Sequence, residues 1–249
     1  MAIIKHDSGG RKDAIFLQID GKLGCFKEGG VPLDSNTAVE GKLHSFSIKP
    51  NLNKEKDKVN DVLRLRIVDP ADSTAPAVYV NINLTTSRPV LAEGQEREAD
   101  DLDTPVKMTM KVLGKLNAAD LSQPISIKPW LMEAGGSAGD FTAESNMTGV
   151  KIAQKDGAGR WEGLKEDYGN GETQLPKPPF VMNGTKKIMV DGYPLTDKTV
   201  WAPLMDDLLD SLAEKTGQKQ QESQTAGADE GVDMGEASAA AERAQRQQG

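Results

Sequence analysis

Cationic and aromatic side chains alternate with apolar residues along several segments of this chain. Arg64 and Arg66 are two residues apart, and Tyr79 follows in the next alternating segment, so in two neighbouring strands all three project from one face. Cations neutralise phosphates and rings stack on bases, which is the chemistry of a surface for single-stranded nucleic acid. We predict that the following side chains bind DNA: Lys49, Lys54, Lys56, Lys58, Arg64, Arg66, Tyr79, Lys128, Trp130, Lys151, Arg160 and Trp161.

Several of these residues also have an interpretation without a ligand. The charges alternate in sign from Lys54 to Lys58, a pattern that keeps the tip of a hairpin soluble. Trp130 follows a proline and could close one end of the core. Tyr79 could pack sideways over its neighbours. The residues alone leave both alternatives open.

The residue types that catalysis or metal binding requires are scarce. His6, His44 and Cys25 are far apart in sequence, so a histidine-based triad or a zinc site has few ligands to draw on. The pairs Asp100-Asp101 and Asp206-Asp207 each lie in an acidic run, where surface charge is the simpler explanation than a cation site. We therefore expect a protein that is not an enzyme and has no cofactor and no metal.

The net charge of −8 argues against a polyanionic ligand until its distribution is considered. The segment from Asp206 to Gly249 has ten acidic and four basic residues, so the remaining residues carry little net charge. Beyond Gly217 the chain is rich in Gln, Glu, Ser, Ala and Gly and has few apolar residues to offset the entropy of ordering. We predict one β-rich nucleic-acid-binding domain over residues 1–216 and a disordered acidic, Gln-rich tail over 217–249 that could recruit a replication or transcription protein.

The class of protein follows from what the chain lacks. Cys25 is the lone cysteine, which excludes an internal disulfide framework and fits a reducing compartment. No stretch approaches the roughly 18 apolar residues that a membrane span needs. We expect a soluble, cytoplasmic protein, in the host cytoplasm if it is viral, without a membrane partner.

Two sequence patterns predict the strands. Asp20-Gly21, between Ile15–Ile19 and Lys22–Phe26, predicts a hairpin with a two-residue turn, and Asn183-Gly184 predicts another. Alternation of apolar and polar residues predicts further strands at Leu43–Lys49, Val62–Val68, Val78–Thr85, Ile125–Leu131 and Val150–Lys155. In the first of these we expect His44, Phe46 and Ile48 to share one face.

Helical spacing of apolar residues appears in two places. Val106 to Asn117 fits a helix better than a strand because Pro105 suits a first turn, although Val106, Met108, Met110 and Val112 also alternate. Asp197 to Lys215 predicts an amphipathic helix with Trp201 buried. The Gly- and Ser-rich segment Glu133 to Thr148 predicts an exposed loop, as does the polar segment Asn51 to Asn60.

The order of three strands, a helix and two strands over about 43–161 resembles the OB-fold of single-stranded DNA-binding proteins. Val62–Pro70 and Leu113–Trp130 are also similar to the single-stranded DNA-binding transcription cofactors of N4-related bacteriophages, which coat single strands and assist phage transcription. The resemblance implies binding on the face of the second and third strands, with 51–60 and 133–148 as walls.

The expected fold is therefore mainly β (α+β): an OB-like five-stranded barrel core with an added N-terminal hairpin, a C-terminal hairpin and an amphipathic C-terminal helix. We expect a homo-oligomeric, sequence-tolerant single-stranded DNA-binding protein that acts in phage-type DNA replication, recombination or transcription. The alternative is a non-enzymatic structural or assembly protein, of a virion or an oligomeric scaffold, that uses the 197–215 helix for subunit contacts.

Overall fold

A computed structural model describes residues 14–90, 104–138, 141–169, 171–190 and 192–218. The chain is mainly β, as predicted: a curled, open sheet forms a half-barrel, and helices pack with it. Gly217 and Gln218, the first two residues of the predicted tail, are among the described residues. The rest of the predicted disordered tail lies outside the described residues.

The strands are, in chain order, β1 (Ile15–Asp20), β2 (Cys25–Glu28), β3 (Val31–Pro32), β4 (Val39–Leu52), β5 (Lys58–Val68), β6 (Val78–Asn83), β7 (Arg88–Pro89), β8 (Ile125–Met132), β9 (Ser137–Ala138), β10 (Phe141–Thr142), β11 (Met147–Lys155), β12 (Trp161–Gly163), β13 (Met182–Asn183), β14 (Lys186–Lys187), β15 (Met189–Val190) and β16 (Tyr193–Pro194). The helices are α1 (Lys107–Ala118), a 3-10 helix (Lys198–Trp201) and α2 (Ala202–Lys215). The main sheet has the order β12-β11-β8-β4-β5-β6-β1-β2-β3, and β7 also pairs with β5.

The long strand β4 bends so that it belongs to both halves of the sheet. Its first residues, Val39–Gly41, pair with β8, and from Lys42 onward it pairs with β5. A bulge between Leu43 and Ser45 inserts one extra residue, and such an insertion reverses the alternation of side chains. The prediction that His44 shares a face with Phe46 and Ile48 is therefore wrong, because the bulge places His44 beside Arg66 on the outer side.

Alternation separates an inner from an outer face of the sheet, as predicted. Leu65 and Val80 are cross-strand partners on the inner face, and both are fully buried, whereas Arg64 and Arg66, the sequence neighbours of Leu65, face outward. Inward-facing residues of β1, β5, β6, β8 and β11 form one core with the buried side chains of both helices. Burial of this apolar area, at about 25 cal/mol per Å², is what holds the outer face in position.

Both predicted helices are present with small changes at their starts. The segment that could also have been a strand is the helix α1, which is tied to β6 because Thr109 Oγ1 donates to the carbonyl oxygen of Asn83. Asp197 caps the 3-10 helix by accepting from the Thr199 amide. Trp201 is buried, as predicted, and its Nε1 donates to the Pro176 carbonyl oxygen at 2.8 Å. No described helix has the length and apolarity that a membrane crossing requires.

The predicted loop at 51–60 is instead the end of a long hairpin arm. Pairing of β4 with β5 continues to Leu52 and Val59, and only Asn53–Asp57 forms the tip. Asn53 Oδ1 accepts from the Lys58 amide at 3.0 Å, so a side chain supplies the hydrogen bonding of a turn. The segment 133–148 also contains the short hairpin β9–β10 rather than being wholly a loop.

The first turn is longer than predicted. Asp20 pairs with Cys25, so the loop comprises Gly21–Gly24 rather than the two residues Asp20-Gly21. The Asp20 carboxylate accepts from the backbone amides of Lys22 and Leu23 and forms an ion pair with Lys27 at 2.5 Å. The Lys27 hydrogen bond, reinforced by those amides, lowers the pKa of Asp20 to about 2. The second predicted hairpin is present as β13–β14.

This turn brings the N-terminal hairpin against the far half of the sheet. Gly24 has a left-handed φ of 59°, and a Cβ atom there would lie 2.4 Å from the carbonyl carbon of Trp130. Thr148 Oγ1 donates to the Gly21 carbonyl oxygen at 2.5 Å. Because β1 also pairs in parallel with β6, the hairpin spans the gap between β6 and β8.

Candidate nucleic-acid interface

Two aromatic rings stack on the outer face of β1 and β6. Phe16 and Tyr79 are partners in the parallel pairing, and their ring centroids lie 4.9 Å apart with an interplanar angle of 11°. Phe16 is 47% exposed although its neighbours Ile15 and Leu17 are buried. An exposed phenylalanine on a sheet adds nothing to the core behind it, so the pair is available to stack on a ligand.

Two arginines of β5 border these rings. Arg64 places its guanidinium carbon 5.3 Å from the Phe16 ring centroid and donates from Nε to Asn81 Oδ1 at 2.9 Å. Arg66 is the cross-strand partner of Tyr79, and its Nη1 lies 3.3 Å from His44 Nδ1. Its buried Nε has no hydrogen-bond partner in the described chain. We call Phe16, Tyr79, Arg64, Arg66 and Asn81 the first group.

A second group of rings and cations lies on the outer face of β8, β11 and β12. Its members are Lys128, Trp130, Lys151, Lys155 and Trp161. The Trp130 indole covers Gly149, where a Cβ atom would lie 2.6 Å from ring atom Cζ2, so glycine provides the space for this ring. Lys155 Nζ lies 5.4 Å from the Trp161 ring centroid. Both tryptophans are half-buried, which leaves part of each indole accessible.

The cations of the second group repel one another. Lys128 and Lys151 are direct cross-strand partners, and like charges in that position destabilise a sheet. Lys128 Nζ is 3.2 Å from Asn36 Oδ1, a neutral acceptor, and it forms no ion pair with the described residues. A bound phosphate would relieve this repulsion.

The remaining predicted residues differ in their surroundings. Lys49 lies on the outer face of β4, opposite Val62. Lys54 and Lys56 are exposed at the tip of the arm, and Lys58 begins β5 beside Pro89. Arg160 forms an ion pair with Asp156 at 2.8 Å, so its cation is already compensated and it fits the site least well.

The first and second groups project from the same outer side of one continuous sheet, with β4 between β5 and β8. Glu40 of β4, which is exposed and pairs with Ser126, adds one negative charge between them. Sequence reasoning missed Phe16, Asn81 and Lys155. The signal for Phe16 was available, because it occupies an outward position in the alternating segment Ile15–Ile19.

The described residues contain no cluster of three or more His, Cys, Asp or Glu that could hold a metal ion. Comparisons with protein-family models, with curated proteins and with solved structures found no match to this chain. The side chains of the outer face are therefore the basis for any functional proposal.

Proposed function

We propose that this protein binds single-stranded DNA, with little sequence preference, on the outer face of its half-barrel. The observation that carries the proposal is the stack of exposed Phe16 on half-buried Tyr79 with Arg64 beside it. A ring contacts any base through its π face, and an arginine contacts any phosphate, so the combination binds single strands without reading base edges. Double-stranded DNA hides its base faces and would not use the rings.

The topology supports an OB-like interpretation of the fold. In this interpretation β4 is the first strand, β5 and β6 are the second and third, α1 follows, and β8 and β11 are the fourth and fifth. OB-folds bind oligonucleotides on the face of the second and third strands. That face is the one that carries Arg64, Arg66 and Tyr79. One departure is that the β1–β2 hairpin occupies the place where the third and fifth strands would meet.

The two groups suggest how a strand is held. Bases stack on Phe16 and Tyr79 while Arg64 and Arg66 neutralise the adjacent phosphates. A strand that continues past β4 meets Trp130 and Trp161, with Lys128, Lys151 and Lys155 around them. A protein that protects single strands in this way serves phage-type replication, recombination or transcription, and the acidic C-terminal segment is a candidate contact for a partner enzyme of those processes.

One observation favours the alternative, a structural or assembly protein. Exposed apolar side chains are concentrated near residues 180–195, just before the helix that such a protein would use for subunit contacts. None of these side chains belongs to the first or second group, so the two candidate functions can be tested with different variants.

Titration with an oligothymidine tests the proposal. Trp130 and Trp161 report from the outer face whereas buried Trp201 gives a background, so binding should quench part of the tryptophan fluorescence. Raising NaCl from about 50 to about 200 mM should weaken binding by about three-hundredfold if some six phosphates are contacted. Trp130→Phe with Trp161→Phe should abolish the quenching but leave a gel shift that favours single over double strands. Absence of both quenching and shift would refute DNA binding.

A further inference from the structure

A second exposed surface lies C-terminal to the residues of the proposed DNA site. Phe180, Met182, Met189 and Val190 are between 45 and 55% exposed, and Leu195 is 39% exposed. Clustered apolar exposure of this kind marks an interaction surface more often than chance placement does. We call residues 180–196 the apolar module.

Backbone hydrogen bonds join the three segments of the module in a closed cycle. The Val181 amide donates to Leu195, the Ile188 amide to Val181, and the Leu195 amide to Ile188, all at 2.8–2.9 Å. The hairpins β13–β14 and β15–β16 lie within this cycle. The module is thus a defined structure whose apolar side chains remain outside the main core.

The β13–β14 hairpin of the module is also cationic. Lys186 and Lys187 are exposed, Lys177 is exposed shortly before the module, and Asp191 is the one acidic residue in the sequence of 180–196. Lys187 Nζ lies 3.7 Å from the Phe180 ring centroid, so the charge borders the apolar surface directly. A partner should therefore present an acidic surface with apolar residues beside it.

Helix α2 presents such a surface. Asp206, Asp207 and Glu214 are exposed, and Lys215 at its end is the first basic residue of the helix. Partial burial, and then Asp210 and Asp207, raise the pKa of Asp206, which shows that the acids are close enough to repel one another. The half-buried Leu204 and the exposed Pro203 add apolar area at the start of the helix.

We propose that the apolar module of one copy docks on the acidic face of α2 of a second copy. The two surfaces match in charge, and both belong to every copy. Contact between two different surfaces is heterologous, and such contacts produce rings or open chains rather than closed two-fold dimers. Open chains are the assembly that continuous coating of a strand would need, but the contact itself requires no DNA.

Sedimentation velocity of the full chain without DNA tests this contact. We expect concentration-dependent association in about 0.1 M NaCl that weakens in about 1 M NaCl, where the Debye length falls from about 10 to about 3 Å. The charge reversals K186E/K187E and D206K/D207K should each weaken association about tenfold or more, a loss of about 1.4 kcal/mol. The matched control K107E/K111E reverses two exposed lysines of α1 and should leave association unchanged, with circular dichroism verifying the fold of each variant.

Mixing the two reversed variants gives the decisive result. Because each restores the opposite charge for the other, association should return in the mixture although it is weakened in each variant alone. A wild-type chain that stays monomeric, an α2 reversal without effect, or a mixture that stays monomeric would overturn the proposal. Oligothymidine titration is independent of all these outcomes, so failure here leaves the proposed DNA binding intact, and failure of DNA binding leaves this contact intact.

Discussion

At the scale of single residues, the outer face depends on neighbours that point the other way. Phe16 is exposed because Ile15 and Leu17 on either side of it are buried, and strand geometry forces a residue between two inward side chains to face outward. The same rule positions Arg64 between Leu63 and Leu65. Core packing of apolar residues thus holds the rings and cations where a ligand can reach them.

The aromatic character of Phe16 can be tested apart from its size. We expect Phe16→Leu to weaken oligothymidine binding by about 1–3 kcal/mol, because leucine keeps the apolar volume but has no π face for a base. Phe16→Trp is the matched control and should retain or strengthen binding. Equal affinities of the leucine and tryptophan variants, measured by fluorescence anisotropy of a labelled oligonucleotide, would show that Phe16 does not stack on bases.

At the scale of elements, the β4–β5 arm is where the strands of the structure extend furthest beyond the predicted ones. Polar residues from Asn51 to Asn60 indicate a loop, yet the strands continue to Leu52 and resume at Lys58. Asn51 Nδ2 donates to Asn60 Oδ1 across the arm, so polar residues pair with each other instead of ending the strands. The tip lysines therefore sit at the end of an ordered arm.

The contribution of the arm should appear as a change in salt dependence. If Lys54, Lys56 and Lys58 each contact one phosphate, replacing all three by alanine should reduce the slope of log affinity against log salt by about 2. The control K107A/K111A/K165A removes the same charge from exposed positions elsewhere and should leave the slope unchanged. An identical slope for both triple variants would place the arm outside the DNA path.

At the scale of the whole molecule, the half-barrel depends on a contact between its N-terminal hairpin and β8. The turn after β1 lies against the backbone of Trp130, so the strand that carries Phe16 and the strand that carries Trp130 are held relative to each other. Gly24 permits this approach, whereas Gly29 has nearly the same φ of 57° but nothing within 4 Å of its Cβ position.

These two glycines form a matched pair for a stability measurement. Gly29→Ala should lower the free energy of unfolding by about 1–2 kcal/mol, the cost of a left-handed conformation for a residue with a Cβ atom. Gly24→Ala has the same conformational cost, and its Cβ atom must also displace the β8 backbone. We therefore expect it to lower the free energy of unfolding by at least about 2 kcal/mol more than Gly29→Ala does. If urea unfolding shows the same decrease in the free energy of unfolding for both variants, the turn does not stabilise the sheet.

Part of the proposed interface was predictable because alternation depends only on local sequence. The outward direction of Arg64, Arg66, Tyr79 and Trp130 follows from period-two patterns, and the structure places all four on the outer face. The parallel pairing of β1 with β6, which stacks Phe16 on Tyr79, joins segments about sixty residues apart. No local pattern encodes such a partner, so the ring pair was not predicted.

The amino-acid sequence by itself determined the mainly β class, both long helices, the inner and outer faces of β5, β6 and β8 and the burial of Trp201. Each follows from periodicity, turn chemistry or helix caps within a few residues. Only the tertiary structure decided the pairing of strands, the bulge that moves His44 to the outer face and the gathering of rings and cations into two groups. These features depend on contacts between segments that are distant in sequence. Such contacts contribute stabilising free energy only when the whole sheet has formed.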